Sequence, residues 1–295
     1  MTTNKKLNIT FIINPKAGIK GKSKLEKKIL QYIDLSKFNC KLVYTEYKNH
    51  AREITENIKK HNDIIVAVGG DGTINEIAHA LLGGKTLLAI LPRGSGNGLA
   101  REIGIPFKLK KCMNMINQMK SQYIDVGKVN DIYFFNSFSL GLTQDIARSF
   151  ENFGIRGLLG YSICTFKHMF NSRYLNLKIK LHNDYEEIRV KTFDVFNIAQ
   201  FGYNFKFLPQ VKINDKQLHL LAFKRLSWVR GVILLTKLGL GIPITNYKDA
   251  VQKSFKNIHV IHNETMAQID GDHINLKDKK LHIQCLPEIL KVIVP

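Results

Sequence analysis

The hydrophobic positions of the first 125 or so residues fall into short apolar runs separated by amphipathic stretches. LNITFII (7–13) reads as a buried strand, and KSKLEKKILQYI (22–33) carries apolar residues at helical spacing. CKLVYT (40–45), DIIVAV (63–68) and TLLAIL (86–91) read as further strands, with HAREITENIKK (50–60) and INEIAHALL (74–82) as helices. Such alternation predicts right-handed crossovers and a mainly parallel, doubly wound α/β sheet covered on both faces.

Past Tyr123 the rhythm changes. YIDVGKV, IYFFNSFSL, LNLKIKL, EIRVKTF, DVFNIAQF and LHLLAF are strand-like, as are IHVIH, TMAQID, LHIQC and ILKVIVP nearer the end. His182-Asn183-Asp184 reads as a hairpin turn, and helical patterns interrupt near 144–170 and 226–240. The expectation is an α/β domain over 1–125 followed by a mainly antiparallel sheet system over 126–285, with no Pro/Gly/Ser-rich linker between them.

Three turns leave the carboxyl edge expected of the parallel sheet, where ligands of such folds bind. They are Asn14-Pro15-Lys16-Ala17-Gly18, Gly69-Gly70-Asp71-Gly72-Thr73 and Pro92-Arg93-Gly94-Ser95-Gly96-Asn97-Gly98. Each precedes a helical pattern, so each offers free backbone N–H groups that suit a phosphate, and glycine removes the Cβ that would keep an anion away. Asp71 would be repelled by bare phosphate; its presence implies a magnesium ion or a proton to be taken. KAGIKGKS is not a P-loop, because Lys16 stands where that motif needs glycine.

Composition is that of an ordinary globular protein: 295 residues, 44% hydrophobic and 23% charged. The formal charge of +20 favours polyanionic partners, but the basic residues are dispersed from Lys5 to Lys291. No stacking or helix-turn-helix pattern supports nucleic acid as the partner. Cys40, Cys112, Cys164 and Cys285 are far apart, which argues against zinc and disulfides and fits a cytoplasmic location. The N-terminal apolar run is too short for a signal peptide, and VRGVILLTKLGLGIPI (229–244) is too short to span a bilayer. FGIRGLLGYSICTFKHMF (153–170) and LSWVRGVILLTKLGLGI (226–242) interleave apolar residues with Arg156, Lys167, Arg230 and Lys237, a composition that can rest on an anionic membrane surface. Ordinary core helices are the plain alternative. His259 and His262 lie three apart in a strand pattern and so face opposite sides, which removes them as a ligand pair.

Taken together, NPKAG, GGDGTINE and LPRGSGNGLAREIGIP resemble the catalytic domain of the diacylglycerol kinase and sphingosine kinase superfamily. FFNSFSLGLTQDIA (134–147), FLPQVKINDKQLHL (207–220), QIDGDHI (268–274) and ILKVIVP (289–295) extend the resemblance across the chain. It implies an ATP- and magnesium-dependent lipid kinase with an NAD kinase-like α/β domain and a C-terminal β-sandwich that helps form a lipid cleft. The last strand, within 286–295, would return to the first domain. Asn14, Thr45, Gly69, Gly70, Asp71, Gly72, Thr73, Asn75, Ser95 and Asn97 would bind the nucleotide, with Asp71 at the magnesium–phosphate centre. Asp215 would match a structural metal site, with the carbonyls of Lys212 and Gln217 as further ligands. Asp272 stands where many members carry the glutamate proposed as proton acceptor, with Asp71 as its rival, and Asp145 sits where an acid meets the lipid head group. Three departures stand out: Asp272 for glutamate, Asn214-Asp215-Lys216 for the usual Asp-Gly, and Gly98 where diacylglycerol kinases carry aspartate. A homodimer is left open, as is the identity of the lipid; an NAD kinase-like soluble-substrate kinase and a non-enzymatic basic binding protein are the rival readings.

Overall fold

The computed structural model describes residues 5–17, 22–151, 153–154, 158–181, 184–199, 208–239, 242 and 248–295. Gly18, Arg156, His182 and Asn183, and parts of the 200–207 and 240–247 stretches read above, lie outside the described residues. The chain divides into two compact units, Met1–Ile124 with Glu288–Pro295, and Asp125–Pro287.

The first unit alternates β1 (Leu7–Ile13), α1 (Lys22–Tyr32), β2 (Phe38–Tyr44), α2 (His50–Ile58), β3 (Ile64–Gly69), α3 (Asp71–Leu81), β4 (Leu87–Pro92), α4 (Gly98–Glu102) and α5 (Leu109–Gln118). Its sheet has the order β2-β1-β3-β4, all parallel. β3 is buried at every position, which is why IIVAVG reads as an unbroken apolar run rather than an alternating one. α3 starts at Asp71, three residues earlier than its apolar periodicity indicated, because Gly70 caps it in extended conformation and the glycine loop feeds straight into the first turn.

The chain crosses to the second unit within β5 (Ser121–Val129). There follow β6 (Ile132–Phe134), β7 (Ser137–Gly141), α6 (Leu142–Glu151), α7 (Leu158–Asn171), β8 (Leu175–Lys180), β9 (Tyr185–Val190), β10 (Thr192–Phe196), β11 (Leu218–Phe223) and α8 (Trp228–Gly239). β12 (Ala250–Phe255), β13 (Asn257–Ile261), β14 (Met266–Ile269), β15 (Asp272–Asn275) and β16 (Lys280–Ile293) complete it. One antiparallel sheet has the order β12-β11-β10-β7-β14-β15. Opposite it, β13 lies between β8 and the first half of β16, and β8 and β9 form the expected hairpin across Lys180 and Tyr185. Phe138, Leu140, Phe193 and Val195 from the first sheet meet Leu177, Ile179, Ile258, Val260 and Ile283 from the second in one core, which makes a β-sandwich. The outer face of the six-stranded sheet carries a second core with residues of α6, α7 and α8, including Ile146, Cys164, Met169 and Leu234.

Several strand boundaries differ from the sequence reading. IYFFNSFSL is two strands, because the Asp270 carboxylate takes the N–H groups of Phe135, Asn136 and Ser137 at 2.8, 2.7 and 3.0 Å and bends the chain between them. LHIQC and ILKVIVP are one strand, with Glu288 at φ 55 absorbing the irregularity beside Pro287. Its last residues return to the first unit, where Val292 pairs in parallel with Leu88. β12 and β15 carry no apolar alternation to read: β12 has three polar residues in a row, Gln252, Lys253 and Ser254, and β15 has one aliphatic residue, Ile274.

Beside the second apolar core, Thr143 of α6 meets a polar row. Cross-strand pairing sets Asp194, Ser139 and Gln268 side by side, all buried. Burial raises the Asp194 carboxyl to about 6, against the hydroxyls of Ser139, Thr143 and Thr192 beside it. A native carboxyl raised above its ordinary 3.8 gives stability that is complete below pH 4 and is lost as pH rises through 6. The expected loss is roughly 3 kcal/mol. Denaturant titrations of Asp194→Asn should therefore show a pH 4 to pH 7 stability difference smaller than wild type by about that amount.

Gly141, which ends β7, has φ 77, and a Cβ there would meet the Lys191 carbonyl at 2.6 Å. Gly141→Ala is expected to cost about 2–3 kcal/mol, read from the thermal midpoint.

Candidate functional site

The parallel strands of the first unit end on a common edge. Register sets Ile13 level with Tyr44 and Val68, and Gly69 level with Pro92. Asn14, Thr45, Gly70 and Arg93 therefore leave the sheet as neighbours. The Thr45 N–H closes onto Ile13 O at 2.9 Å, and its side chain is buried.

The glycines of this edge serve different ends. A Cβ on Gly69 would lie 2.5 Å from Thr73 Oγ1, so Gly69 makes room for a side chain of its own helix. A Cβ on Gly94 would lie 2.7 Å from Gly70 Cα, so these two let the second and third loops touch backbone to backbone. Around Gly72 nothing stands within 4 Å of where a Cβ would be. In that direction Gly72 borders open space, and the residue is exposed.

Asp71 joins the loops. Its Oδ2 accepts the Asn97 N–H at 2.7 Å and its Oδ1 the Gly98 N–H at 2.8 Å, at the start of α4. Hydrogen bonds to a charged acceptor contribute about 1.5–3 kcal/mol each, less at a half-exposed site such as this. Gly96 is required here as well, since a Cβ on it would meet Asp71 Oδ2 at 2.7 Å. Asn97 is fully buried in left-handed conformation, and its amide clamps Gly94 through the N–H at 3.1 Å and the carbonyl at 2.6 Å. Its side chain shapes the loop. Ser95 is exposed beside it, and Arg101 Nε holds the Gly96 carbonyl at 2.8 Å. Asn14 Nδ2 donates to Thr73 Oγ1 at 3.1 Å while its Oδ1 accepts the Lys16 N–H at 2.9 Å, which ties the first loop to the second. Asn75 follows, half-buried, on α3.

Glu76 is an acid that the sequence reading passed over. Its carboxylate accepts the N–H groups of Asn49 and Ala51 at 2.9 and 3.1 Å and caps α2 from α3. The signal was present: an acid one turn into a helix, next to a helix whose own N-cap, Asn49, makes no side-chain cap bond.

In the second unit Asp145 lies on α6, Asp272 on β15 and Asp215 in the turn before β11. Asp272 is exposed at the start of β15, after a turn with Asp270 at φ 52 and Gly271 at φ 100. Asp-Gly is the pair such a left-handed hairpin turn demands. Asp145 is half-buried in the first turn of α6. Burial holds the Glu264 carboxyl above its ordinary range; Arg173, its ion-pair partner, opposes this and Asp145 adds to it. Asp215 Oδ1 accepts the Gln217 N–H at 3.1 Å, and its Oδ2 accepts from Lys212 N at 3.3 Å and His219 Nε2 at 2.8 Å. Lys212 and Gln217 thus meet Asp215 through their N–H groups. Neither Asp270, Glu264 nor His219 was singled out from sequence, because their partners are remote in the chain or, for His219, on the far side of a turn.

Residues 8–129 match the family model of the diacylglycerol kinase catalytic domain. A diacylglycerol kinase of Staphylococcus haemolyticus (strain JCSC1435) is 24% identical over 291 residues, covering 94% of this chain and 88% of its own length. One of Bacillus subtilis (strain 168) is 25% identical over 272 residues, covering 89% of each. Among solved structures, a diacylglycerol kinase from Bacillus anthracis str. Sterne superposes with a TM-score of 0.75 at 21% identity, over 98% of this chain and 97% of that one. An NAD kinase from Archaeoglobus fulgidus in complex with ATP superposes with a TM-score of 0.54 at 14% identity, over 97% and 93%. The two structures share this α/β fold with its second β domain. The first unit is thus similar to the diacylglycerol kinase catalytic domain, and the chain over most of its length to proteins named diacylglycerol kinase.

Gly94→Ala should separate the second and third loops. The expected outcome is a stability loss of about 1–3 kcal/mol, with faster hydrogen exchange at the Asn97 and Gly98 amides than elsewhere in the first unit.

Proposed function

We propose that the protein is an ATP- and magnesium-dependent lipid kinase that transfers the γ-phosphoryl group to the primary hydroxyl of a diacylglycerol-like or sphingosine-like lipid. The observation that carries this reading is the paired loop at the carboxyl edge of four parallel strands, Gly69–Thr73 against Arg93–Gly98, inside the segment matched to the kinase catalytic domain. Kinship with proteins named diacylglycerol kinase over most of the chain supports a lipid as acceptor.

Phosphoryl transfer asks mainly for positioning and charge neutralisation. The open backbone at Gly72, the start of α3 and the exposed Ser95 would receive the triphosphate. Asn14, Thr73 and Asn97 act by fixing the loops. Asp71 fits a magnesium ligand: each carboxylate oxygen has accepted one N–H and keeps a lone pair, and magnesium is commonly held by one or two carboxylates together with substrate phosphates. The ion, when bound, would offset charge on the transferred group. Proton removal from the acceptor hydroxyl falls to Asp272 or to Asp71. Asp272 is exposed and carries no competing hydrogen bond among those described, whereas Asp71 is committed to two backbone donors, which favours Asp272.

The acceptor is a membrane lipid in this reading, and the second unit has surface suited to reach it. Ile163 and Phe166 on α7 and Val229 and Ile233 on α8 are 40–47% exposed, with exposed Lys167, Arg230 and Lys237 among them. The two helices meet closely at Gly231 and Met169. No described helix is long and apolar enough to cross a membrane, so this contact would be peripheral.

The deciding assay supplies γ-labelled ATP and magnesium with micelles of diacylglycerol, sphingosine, ceramide or monoacylglycerol, and with NAD in parallel. Label in a lipid and none in NAD is expected; the reverse would establish the soluble-substrate reading. Asp71→Asn should abolish transfer. Asp272→Asn should leave ATP binding intact and lower kcat by ~10²–10⁴-fold. Undiminished turnover in Asp71→Asn would refute the loop assignment. Phe166→Glu with Ile233→Glu should weaken sedimentation with phosphatidylglycerol vesicles while leaving the thermal midpoint unchanged.

A further inference from the structure

The resemblance implies a structural metal at the turn Lys212–Gln217, held by the Asp215 carboxylate and the carbonyls of Lys212 and Gln217. The turn does not have the shape of such a site. Magnesium and calcium take oxygen ligands in every position. Here, unlike at Asp71, two donors, Lys212 N and His219 Nε2, take both lone pairs of Oδ2, and Gln217 N takes one of Oδ1. The Lys212 carbonyl, a ligand in the metal reading, accepts the Asp215 N–H at 3.2 Å. A second carboxylate nearby, that of the fully buried Asp125, receives the Lys216 N–H at 2.6 Å. Lys216 reaches it from φ 64, the left-handed position for which glycine is the usual residue.

His219 is placed for this by the sheet. It is the cross-strand partner of Ser254, between β11 and β12, and Ser254 Oγ lies 3.0 Å from Nδ1. A hydroxyl donating to Nδ1 leaves the proton on Nε2, aimed at Asp215. The ring is only 8% exposed, so it cannot swing into solvent and vacate the position.

We propose that His219 stands in for the divalent ion at this turn, closing it through the relay Ser254–His219–Asp215, and that the second unit folds without a structural metal. This rests on the geometry of the second unit alone and stands whether or not the chain transfers phosphate.

The test uses the whole protein without nucleotide. The thermal midpoint should agree within about 1 °C in EDTA and in millimolar Mg²⁺, Ca²⁺ or Mn²⁺, since a ligand that binds the native state would raise it. His219→Leu should lower the midpoint, and His219→Gln, which can place an amide N–H near the Nε2 position, should recover part of the loss. If the variants fail to fold, the wild-type protein still decides: long-range ¹H–¹⁵N correlation of the EDTA-treated protein should show His219 Nε2 protonated. A saturable rise with any of the three ions that Asp215→Asn removes would overturn the proposal, and so would an unprotonated Nε2.

Discussion

One carboxylate organises the first unit's working edge. Asp71 begins its own helix and also accepts the first two N–H groups of the next loop's helix, so the two glycine turns form one surface. The contact is possible only because Gly70 and Gly94 have no side chains to hold the backbones apart, and because Gly96 clears the carboxylate. The negative charge of Asp71 is thus met by backbone N–H dipoles. On the function proposed above, that edge would receive a ligand that brings its own anion and counterion.

The second unit solves related problems with the same device, a carboxylate taking backbone N–H groups where a strand must break. Asp270 does so at 135–137, Asp125 at Lys216, and Asp215 at Lys212 and Gln217. Each fixes an irregular stretch by satisfying its backbone donors; where these are buried, as at Phe135 and Ser137, leaving one unmet would cost about 1–3 kcal/mol. Irregular backbone is where this fold departs from a plain sandwich. The polar row under α6 has another character: Asp194 there is held largely by hydroxyls and is left with a native ionisation near pH 6.

Under the function proposed above, kinase chemistry and a lipid acceptor would make different demands on one chain. The first unit needs rigid backbone donors, and loop-to-loop contacts between glycines supply them. For such an acceptor the second would need apolar surface that water leaves readily, and α7 and α8 have Phe166, Val229 and Ile233 exposed. Lysine and arginine among those residues agree with the +20 balance of the whole sequence. Dispersed charge of this kind acts at long range on any anionic surface without specifying a partner.

The amino-acid sequence by itself determined the α/β alternation, the edge from which the glycine turns depart, and the change to antiparallel strands beyond Tyr123. These follow from periodicity and local backbone preference, which act over a few residues. It did not determine which glycine is crowded and which is open: Gly69, Gly70 and Gly72 look alike in the chain, and only the packing of Thr73 and Gly94 separates them. It did not show Asp270 or His219 as structural, because their partners lie 133–135 residues away in one case and across a β pair, at Ser254, in the other. Tertiary structure decided those assignments, since a hydrogen bond between distant residues leaves no period and no spacing for a reader to find.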